Sequence, residues 1–155
     1  TYIDHITGEK LPAEMIESEI KMESILTNEP QIGGQKQRVL LMDDEDQIRF
    51  IGKEMLEYLG YDVLLSEDGE DAIKKIKAAR NDNQPIDIVI MDLTIPGRLG
   101  GKEAISLIRE FDLTIRAIVT SGYSNDPVMS NFAQYGFNGF LIKPFDIEML
   151  AKALS

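Results

Sequence analysis

Three carboxylates and one ammonium in this chain stand at the ends of short apolar runs. The residues are Asp43, Asp44, Asp92 and Lys143. If the apolar runs are neighbouring parallel strands, their carboxyl ends meet at one edge of a sheet and gather these side chains there. Three carboxylates held close together repel one another and favour binding a cation or taking up a proton. This arrangement is typical of a site for a divalent cation and a phosphoryl group.

The available ligand atoms favour magnesium over zinc. The chain has no cysteine and a single histidine, His5, so its candidate ligands are oxygen atoms, which Mg²⁺ prefers, together with water and phosphate oxygens. A carboxylate such as Asp92 beside that ion can attack phosphorus and form an aspartyl phosphate. The Lys143 ammonium and the Thr120 hydroxyl would then contact the phosphoryl oxygens.

Alternation of strands and helices from Arg38 onward predicts a fold that brings these residues together. The predicted strands are 39–42, 61–66, 86–91, 116–120 and 140–142, and the predicted helices are 46–59, 70–80, 100–111, 126–135 and 146–155. Such β–α units imply parallel strands, right-handed crossovers and a doubly wound α/β fold. The site of such a fold lies beyond the carboxyl ends of the strands, where the strand order reverses, and this rule selects the same residues.

Apolar residues recur at helical spacing within these helices and predict the faces that pack on the sheet. In the first helix they are Ile48, Ile51, Met55, Leu56 and Leu59, followed by Gly60 as a stop. In the helix at 100–111 they are Ala104, Ile105 and Ile108. The helix at 126–135 is predicted to begin with Asp126 as its N-cap and Pro127 at its first position.

Composition excludes several classes of function. The 155 residues suffice for one domain and a tail, and the net charge of −11 argues against binding of a nucleic-acid backbone by this chain. The absence of cysteine excludes thiol catalysis and disulfides. No apolar run approaches the roughly 18 residues of a membrane span, and no signal peptide is found, so the expected location is the cytoplasm.

With these residues identified, the chain resembles the response-regulator receiver domain of two-component signalling. The likeness covers about Gln37 to Ser155 and rests on four segments, which read VLLMDDE at 39–45, VIMDLTIP at 89–96, AIVTS at 117–121 and GFLIKPF at 139–145. The resemblance implies a flavodoxin-like fold whose five parallel strands lie in the order 2-1-3-4-5. It also implies Mg²⁺ as cofactor and a histidine kinase or histidine phosphotransfer domain as partner.

The resemblance implies a role for each matched residue of the acidic site. Asp92 accepts the phosphoryl group, Asp44 binds Mg²⁺ directly, and Asp43 binds it mostly through water. The backbone carbonyl of Thr94 completes the metal site.

The remaining matched residues are implied to form the switch. Thr120 and Lys143 contact the phosphoryl oxygens, and the bond from Lys143 to Pro144 is expected to be cis. Phosphorylation draws Thr120 toward the phosphate, and Phe140 turns inward to fill the vacated space. The face made by the family's fourth helix, fifth strand and fifth helix then changes its presentation to a partner.

One loop departs from the commonest family pattern. After Pro96 the segment 97–101 reads GRLGG, about one residue longer than usual and without an acidic residue before glycine. This loop resembles those of receivers attached to hybrid sensor kinases, as does the segment 120–124. A receiver catalyses its own phosphorylation and dephosphorylation but acts mainly as a switch, so the sequence leaves open whether the chain is part of an enzyme such as a hybrid histidine kinase.

The first 37 residues differ from the rest and are predicted to form a helix and a linker, with the receiver domain at 38–155. Residues 13–26 read as a helix of moderate amphipathicity, and Gly33-Gly34 indicates the linker. The tail weakly resembles the end of a PAS sensor domain with its outgoing helix, and the end of a kinase domain is an equal alternative. His5 lacks the neighbouring residues of a kinase phosphoacceptor box.

Two rival functions remain at this point. A degenerate receiver would act only as a protein-binding module, although the complete acidic set argues against it. A haloacid-dehalogenase-like phosphatase would use the Asp-x-Asp spacing of Asp44 and Asp46, but the required acidic pair after the lysine is missing. A homodimer is a further partner that the sequence leaves open.

Overall fold

The computed structural model describes residues 36–155, which form a five-stranded sheet with helices packed around it. The strands are β1 (Arg38–Met42), β2 (Asp62–Ser66), β3 (Ile88–Asp92), β4 (Arg116–Ser121) and β5 (Gly139–Ile142). The helices are α1 (Asp46–Tyr58), α2 (Gly69–Asn81), α3 (Gly101–Phe111), α4 (Pro127–Ser130), α5 (Phe132–Tyr135) and α6 (Ile147–Leu154). The predicted helix at 13–26, the linker at Gly33-Gly34 and His5 lie outside the described residues. Among the helices of 36–155, none combines the length and apolarity that a membrane crossing needs.

All strand pairs are parallel, and the order β2-β1-β3-β4-β5 is the predicted one. The register aligns the strand ends, with Met42 opposite Met91 and Asp92 opposite Thr120. We call the side of the sheet at which β1, β3, β4 and β5 end the carboxyl edge. The strand order reverses between β1 and β3, so the two aspartate-bearing strands are neighbours at that edge.

Burial on both faces explains why the central strands are almost uninterrupted apolar runs. All five residues of β3 and the last four of β1 are buried, as expected for a parallel sheet covered by helices on both sides. The buried Ala104, Ile105 and Ile108 of α3 confirm the predicted face of that helix. A polar side chain at the end of β1 or β3 therefore lies at the boundary of a dry core.

Helix α1 packs on the sheet through most of its predicted face, but not through Ile51. Leu56 and Leu59 are buried as predicted, whereas Ile51 is 53% exposed and the neighbouring Gly52 is buried. A Cβ atom at Gly52 would lie 2.4 Å from Cδ2 of Leu41, so the helix approaches β1 through its glycine. The prediction counted only large apolar side chains, and this close approach turns Ile51 outward.

The single helix predicted at 126–135 is wrong, because the structure has α4 and α5 separated by Asn131. The side chain of Asp126 accepts a hydrogen bond from the Val128 backbone N–H, which confirms the predicted N-cap. The Asn131 side-chain amide donates to the Pro127 carbonyl at 3.1 Å. This bond gives the backbone an alternative to helix continuation, which is the usual effect of asparagine in a helix interior.

Candidate functional site

Asp43 is buried at the carboxyl edge and held at four points. Its backbone N–H donates to the Ser66 carbonyl at 3.0 Å. Its carboxylate accepts from the Glu45 backbone N–H at 2.9 Å on one oxygen and from Lys143 Nζ at 3.1 Å on the other. The fourth bond is from Arg49 to its backbone carbonyl. The N-cap of α1 is Glu45, which makes no side-chain capping bond, so Asp43 does not serve merely as the cap of this helix.

Asp44 and Asp92 complete an acidic cluster with Asp43. Each of the three residues offers a carboxylate oxygen, and these oxygens all lie within 4.8 Å of one another. Asp43 and Asp92 are buried, whereas Asp44 is exposed. Two charges at such a separation repel by about 3 kcal/mol at an effective dielectric constant of about 20. The cluster therefore needs a compensating positive charge.

Lys143 supplies one positive charge to this cluster. Its Nζ atom lies 3.1 Å from a carboxylate oxygen of Asp43 and 3.3 Å from one of Asp92. Burial lowers the pKa of Lys143, but its contacts with the two carboxylates outweigh that effect and hold the pKa above its ordinary value. The peptide bond to Pro144 is cis, as the resemblance implied. Three carboxylates against one ammonium leave the cluster with a charge of −2 when all groups are ionised.

The surroundings of Asp92 make its side chain a weaker acid. Burial, followed by the charge of Asp43, raises the pKa of Asp92 from an ordinary value of 3.8 to about 6, against the opposing effect of Lys143. A carboxylate that resists ionisation in this way is typical of a functional site. At neutral pH without a bound cation, ionised Asp92 is a destabilising element of the fold.

We expect Asp92→Asn to stabilise the protein at pH 7.5 in EDTA. The pKa in the folded chain is raised, so the stabilisation from protonated Asp92 is lost as the pH rises from about 4 to about 6. The rise of the pKa from 3.8 to about 6 corresponds to a gain in the free energy of unfolding of about 3 kcal/mol at pH 7.5 and about 1 kcal/mol at pH 4.5 for the variant. Urea unfolding of wild type and variant at both pH values measures this difference. If the gain in the free energy of unfolding did not depend on pH, the charge of Asp92 would not be the cause of the destabilisation.

The structure places Thr120 beside Asp92, since the two residues are partners in the register of β3 and β4. Thr120 is buried, and so is the neighbouring Ser121. The Ser121 hydroxyl oxygen accepts the Tyr123 backbone N–H at 3.0 Å, which turns the chain away from the edge directly after β4. These contacts fix the hydroxyl-bearing segment next to the acidic cluster.

Thr94 and Phe140 are the two remaining residues predicted for the site. Thr94 is exposed in the loop two residues after Asp92. Phe140 lies on β5 with 45% of its surface exposed, and its ring centroid is 5.7 Å from that of Phe132 in α5. Phe140 therefore stands on the surface in this state.

Two glycines of the segment 97–101 allow the loop after β3 to fold tightly. A Cβ atom at Gly101 would lie 2.7 Å from the Asp92 carbonyl oxygen, and one at Gly100 would lie 2.7 Å from the Leu93 carbonyl oxygen. Neither position accepts a side chain without movement of the backbone that carries Asp92. In the sequence, two adjacent glycines shortly after the strand of the predicted phosphoacceptor indicate such a tight loop.

Comparison with known proteins agrees with the resemblance found in the sequence. The model of the response regulator receiver domain matches residues 39–155. The CAI-1 autoinducer sensor kinase/phosphatase CqsS of Vibrio cholerae is 34% identical over 118 residues, which are 74% of this chain and 16% of that protein. The chemotaxis protein CheY of Thermotoga maritima is 30% identical over 119 residues, which are 76% of this chain and 94% of that protein.

A solved structure agrees with both the fold and the site. The receiver domain of the sensor histidine kinase PA1611 from Pseudomonas aeruginosa is 29% identical, with a TM-score of 0.63 over 77% of this chain and 95% of that chain. Its structure has a magnesium ion coordinated in the active site cleft. The parallel sheet in the order β2-β1-β3-β4-β5, the acidic cluster at its carboxyl edge and the match over residues 39–155 lead to one conclusion. The chain belongs to the response regulator receiver domain family of two-component signalling.

Proposed function

We propose that this chain is a phosphoacceptor switch in which Asp92 receives a phosphoryl group from a histidine kinase or a histidine phosphotransfer domain. The observation that carries the proposal is the placement of Lys143 Nζ within 3.3 Å of Asp43 and Asp92, beside three carboxylates whose oxygens lie within 4.8 Å of one another. This combination provides a nucleophile, a set of oxygen ligands and a cation for phosphoryl oxygens in one place.

The donor set fits Mg²⁺. At bond lengths of about 2.1 Å, ligand oxygens on opposite sides of the ion are about 4.2 Å apart, close to the limit of 4.8 Å within the cluster. The cluster's charge of −2 also matches a divalent cation. Asp43, Asp44 and Asp92 would hold the ion together with the backbone carbonyl of Thr94. When bound, the ion would supply positive charge to the phosphoryl oxygens.

The transfer itself depends on residues of this chain. A carboxylate oxygen of Asp92 attacks phosphorus and forms a new O–P bond, while the bond from phosphorus to the donor nitrogen breaks and the imidazole leaves with the electron pair. Lys143 donates to a phosphoryl oxygen as the Asp92 carboxylate loses its negative charge on forming the acyl phosphate. Thr120, the neighbour of Asp92 in β4, donates its hydroxyl to a second phosphoryl oxygen.

The output of the switch is the surface that contains Phe140. Movement of Thr120 toward the phosphoryl group opens space behind β4, and Phe140 turns from its exposed position into that space. The face formed by α4, α5, β5 and α6 then has a different shape and recognises a different partner. The exposed position of Phe140 supports this step, because the aromatic ring is outside the core and can still turn inward.

Intact-mass analysis after incubation with acetyl phosphate tests the proposal. We expect one phosphoryl adduct per chain in the presence of Mg²⁺, located by peptide mapping at Asp92, and no adduct in EDTA. Acetyl phosphate replaces the phosphohistidine donor, with acetate as the leaving group. No adduct in Mg²⁺ would instead identify the alternative, a degenerate receiver that only binds proteins.

We further propose that residues 38–155 are the receiver portion of a larger signalling protein such as a hybrid sensor kinase. CqsS, of which the match spans 16%, supports this arrangement, as does the segment 97–101. Residues 1–37 would then connect the receiver to an upstream sensor or kinase domain.

A further inference from the structure

The exposed carboxylate of Asp44 has no hydrogen bond or ion pair in the part of the chain that the structure describes. Its place beside Asp43 and Asp92 therefore depends on the orientation of the backbone that carries it. The peptide unit between Asp43 and Asp44 contains the Asp43 carbonyl. That carbonyl accepts a hydrogen bond of 2.7 Å from Nη1 of Arg49, one turn into α1.

Arg49 is itself firmly held. Only 12% of its side chain is exposed, and Nη2 pairs with the Asp46 carboxylate. The same nitrogen lies 3.7 Å from a carboxylate oxygen of Glu67, in the loop between β2 and α2. Because the guanidinium is planar with its donors in a rigid fork, these two anions fix the direction in which Nη1 points.

Through Glu67, the contacts of Arg49 continue to a third loop, the one between β3 and α3. Glu67 lies 3.5 Å from Arg98 of that loop, and Arg98 lies 3.6 Å from Asp68. Exposed ion pairs of this kind contribute little to stability individually. Their effect is to connect the loops after β1, β2 and β3, all of which border the acidic cluster.

We infer that Arg49 is a positioning residue of the metal site, which orients the Asp43–Asp44 peptide so that the Asp44 carboxylate joins the cluster. The inference rests on the proposed function, since it assigns Asp44 to a bound cation. A positioning role for Arg49 and a purely electrostatic role predict opposite changes in the affinity for Mg²⁺. By charge alone, removal of a nearby guanidinium would strengthen binding of a cation. If Arg49 positions Asp44, its removal weakens that binding.

Calorimetric titration of the folded chain with MgCl₂ decides between them. For Arg49→Met we expect the Kd for Mg²⁺ to rise about tenfold, the lower end of the range for residues that orient metal ligands. Arg49→Lys keeps the charge but loses the fork, and its Kd should lie between those of wild type and Arg49→Met. Lys53→Met, one turn further along α1 and outside these contacts, is the matched control because it removes the same charge. Its Kd should stay within about twofold of wild type.

Two further readouts separate positioning from a general loss of structure. In acetyl phosphate reactions, Arg49→Met should raise the Mg²⁺ concentration for half-maximal rate, while the rate at saturating Mg²⁺ changes less than about twofold. If Arg49→Met does not fold, Arg49→Lys decides the question, because its unchanged charge leaves only geometry to alter the Kd. An unchanged or lower Kd in the folded variants overturns the inference, as does a wild type that binds no Mg²⁺. A wild type that binds Mg²⁺ but takes up no phosphoryl group overturns the proposed function alone.

Discussion

Asp92→Asn is expected to abolish the phosphoryl adduct that acetyl phosphate forms on this chain in Mg²⁺. The carboxamide has nearly the same shape as the carboxylate, so the ion pair partner Lys143 and the neighbouring Asp43 keep their places. It offers no anionic oxygen to attack phosphorus, however, and an uncharged amide is a far weaker nucleophile. The initial rate of adduct formation, followed by intact mass, should therefore fall to the background of the reaction without protein.

The matched control is Asp82→Asn, which makes the same chemical change at the end of α2. Asp82 is exposed, and α2 ends at the opposite side of the sheet from the carboxyl edge. The adduct of this variant should form at the wild-type rate. A full adduct on Asp92→Asn would mean that another side chain accepts the phosphoryl group, and peptide mapping of that product would identify it.

The site could be predicted from the sequence because its charged residues directly follow the strands. A parallel sheet brings the carboxyl ends of its strands to one edge, so Asp43, Asp92 and Lys143 needed only the correct assignment of three apolar runs. The apolar runs do not show which strands pair with one another through hydrogen bonds. The strand order came from the resemblance, since periodicity within a segment carries no information about which segment lies beside it.

Other features depend on contacts that no local pattern contains. The outward position of Ile51 follows from the close approach of Gly52 to Leu41, a contact between residues of different elements. The break at Asn131 follows from a side-chain bond to Pro127 that competes with the helix. No local pattern indicates the role of Arg49, because an arginine on an amphipathic helix usually faces solvent, whereas here its guanidinium contacts the loops after β1 and β2.

A second large effect is expected for Lys143→Met, which removes the positive charge nearest to Asp92. We expect the rate of phosphorylation by acetyl phosphate to fall about 100-fold, the size of effect found when one donor to a developing charge is removed. The methionine has a similar length and keeps the apolar stem in place beside β5. Its thioether cannot donate to a phosphoryl oxygen, so the transition state loses a contact that the ground state does not need.

The same variant should bind Mg²⁺ more tightly, so its phosphorylation rate should fall while its affinity for Mg²⁺ rises. Removal of Lys143 changes the charge of the ionised cluster from −2 to −3, because its Nζ atom lies within 3.3 Å of two of the three carboxylates. Calorimetry should therefore give a Kd for Mg²⁺ that is several-fold lower, since each 1.4 kcal/mol of added attraction is about a tenfold change. Lys152→Met, on the exposed side of α6, is the control for both measurements. If Lys143→Met lost rate and Mg²⁺ affinity together, the lysine would be holding the cluster in shape, and its assignment to the phosphoryl oxygens would be wrong.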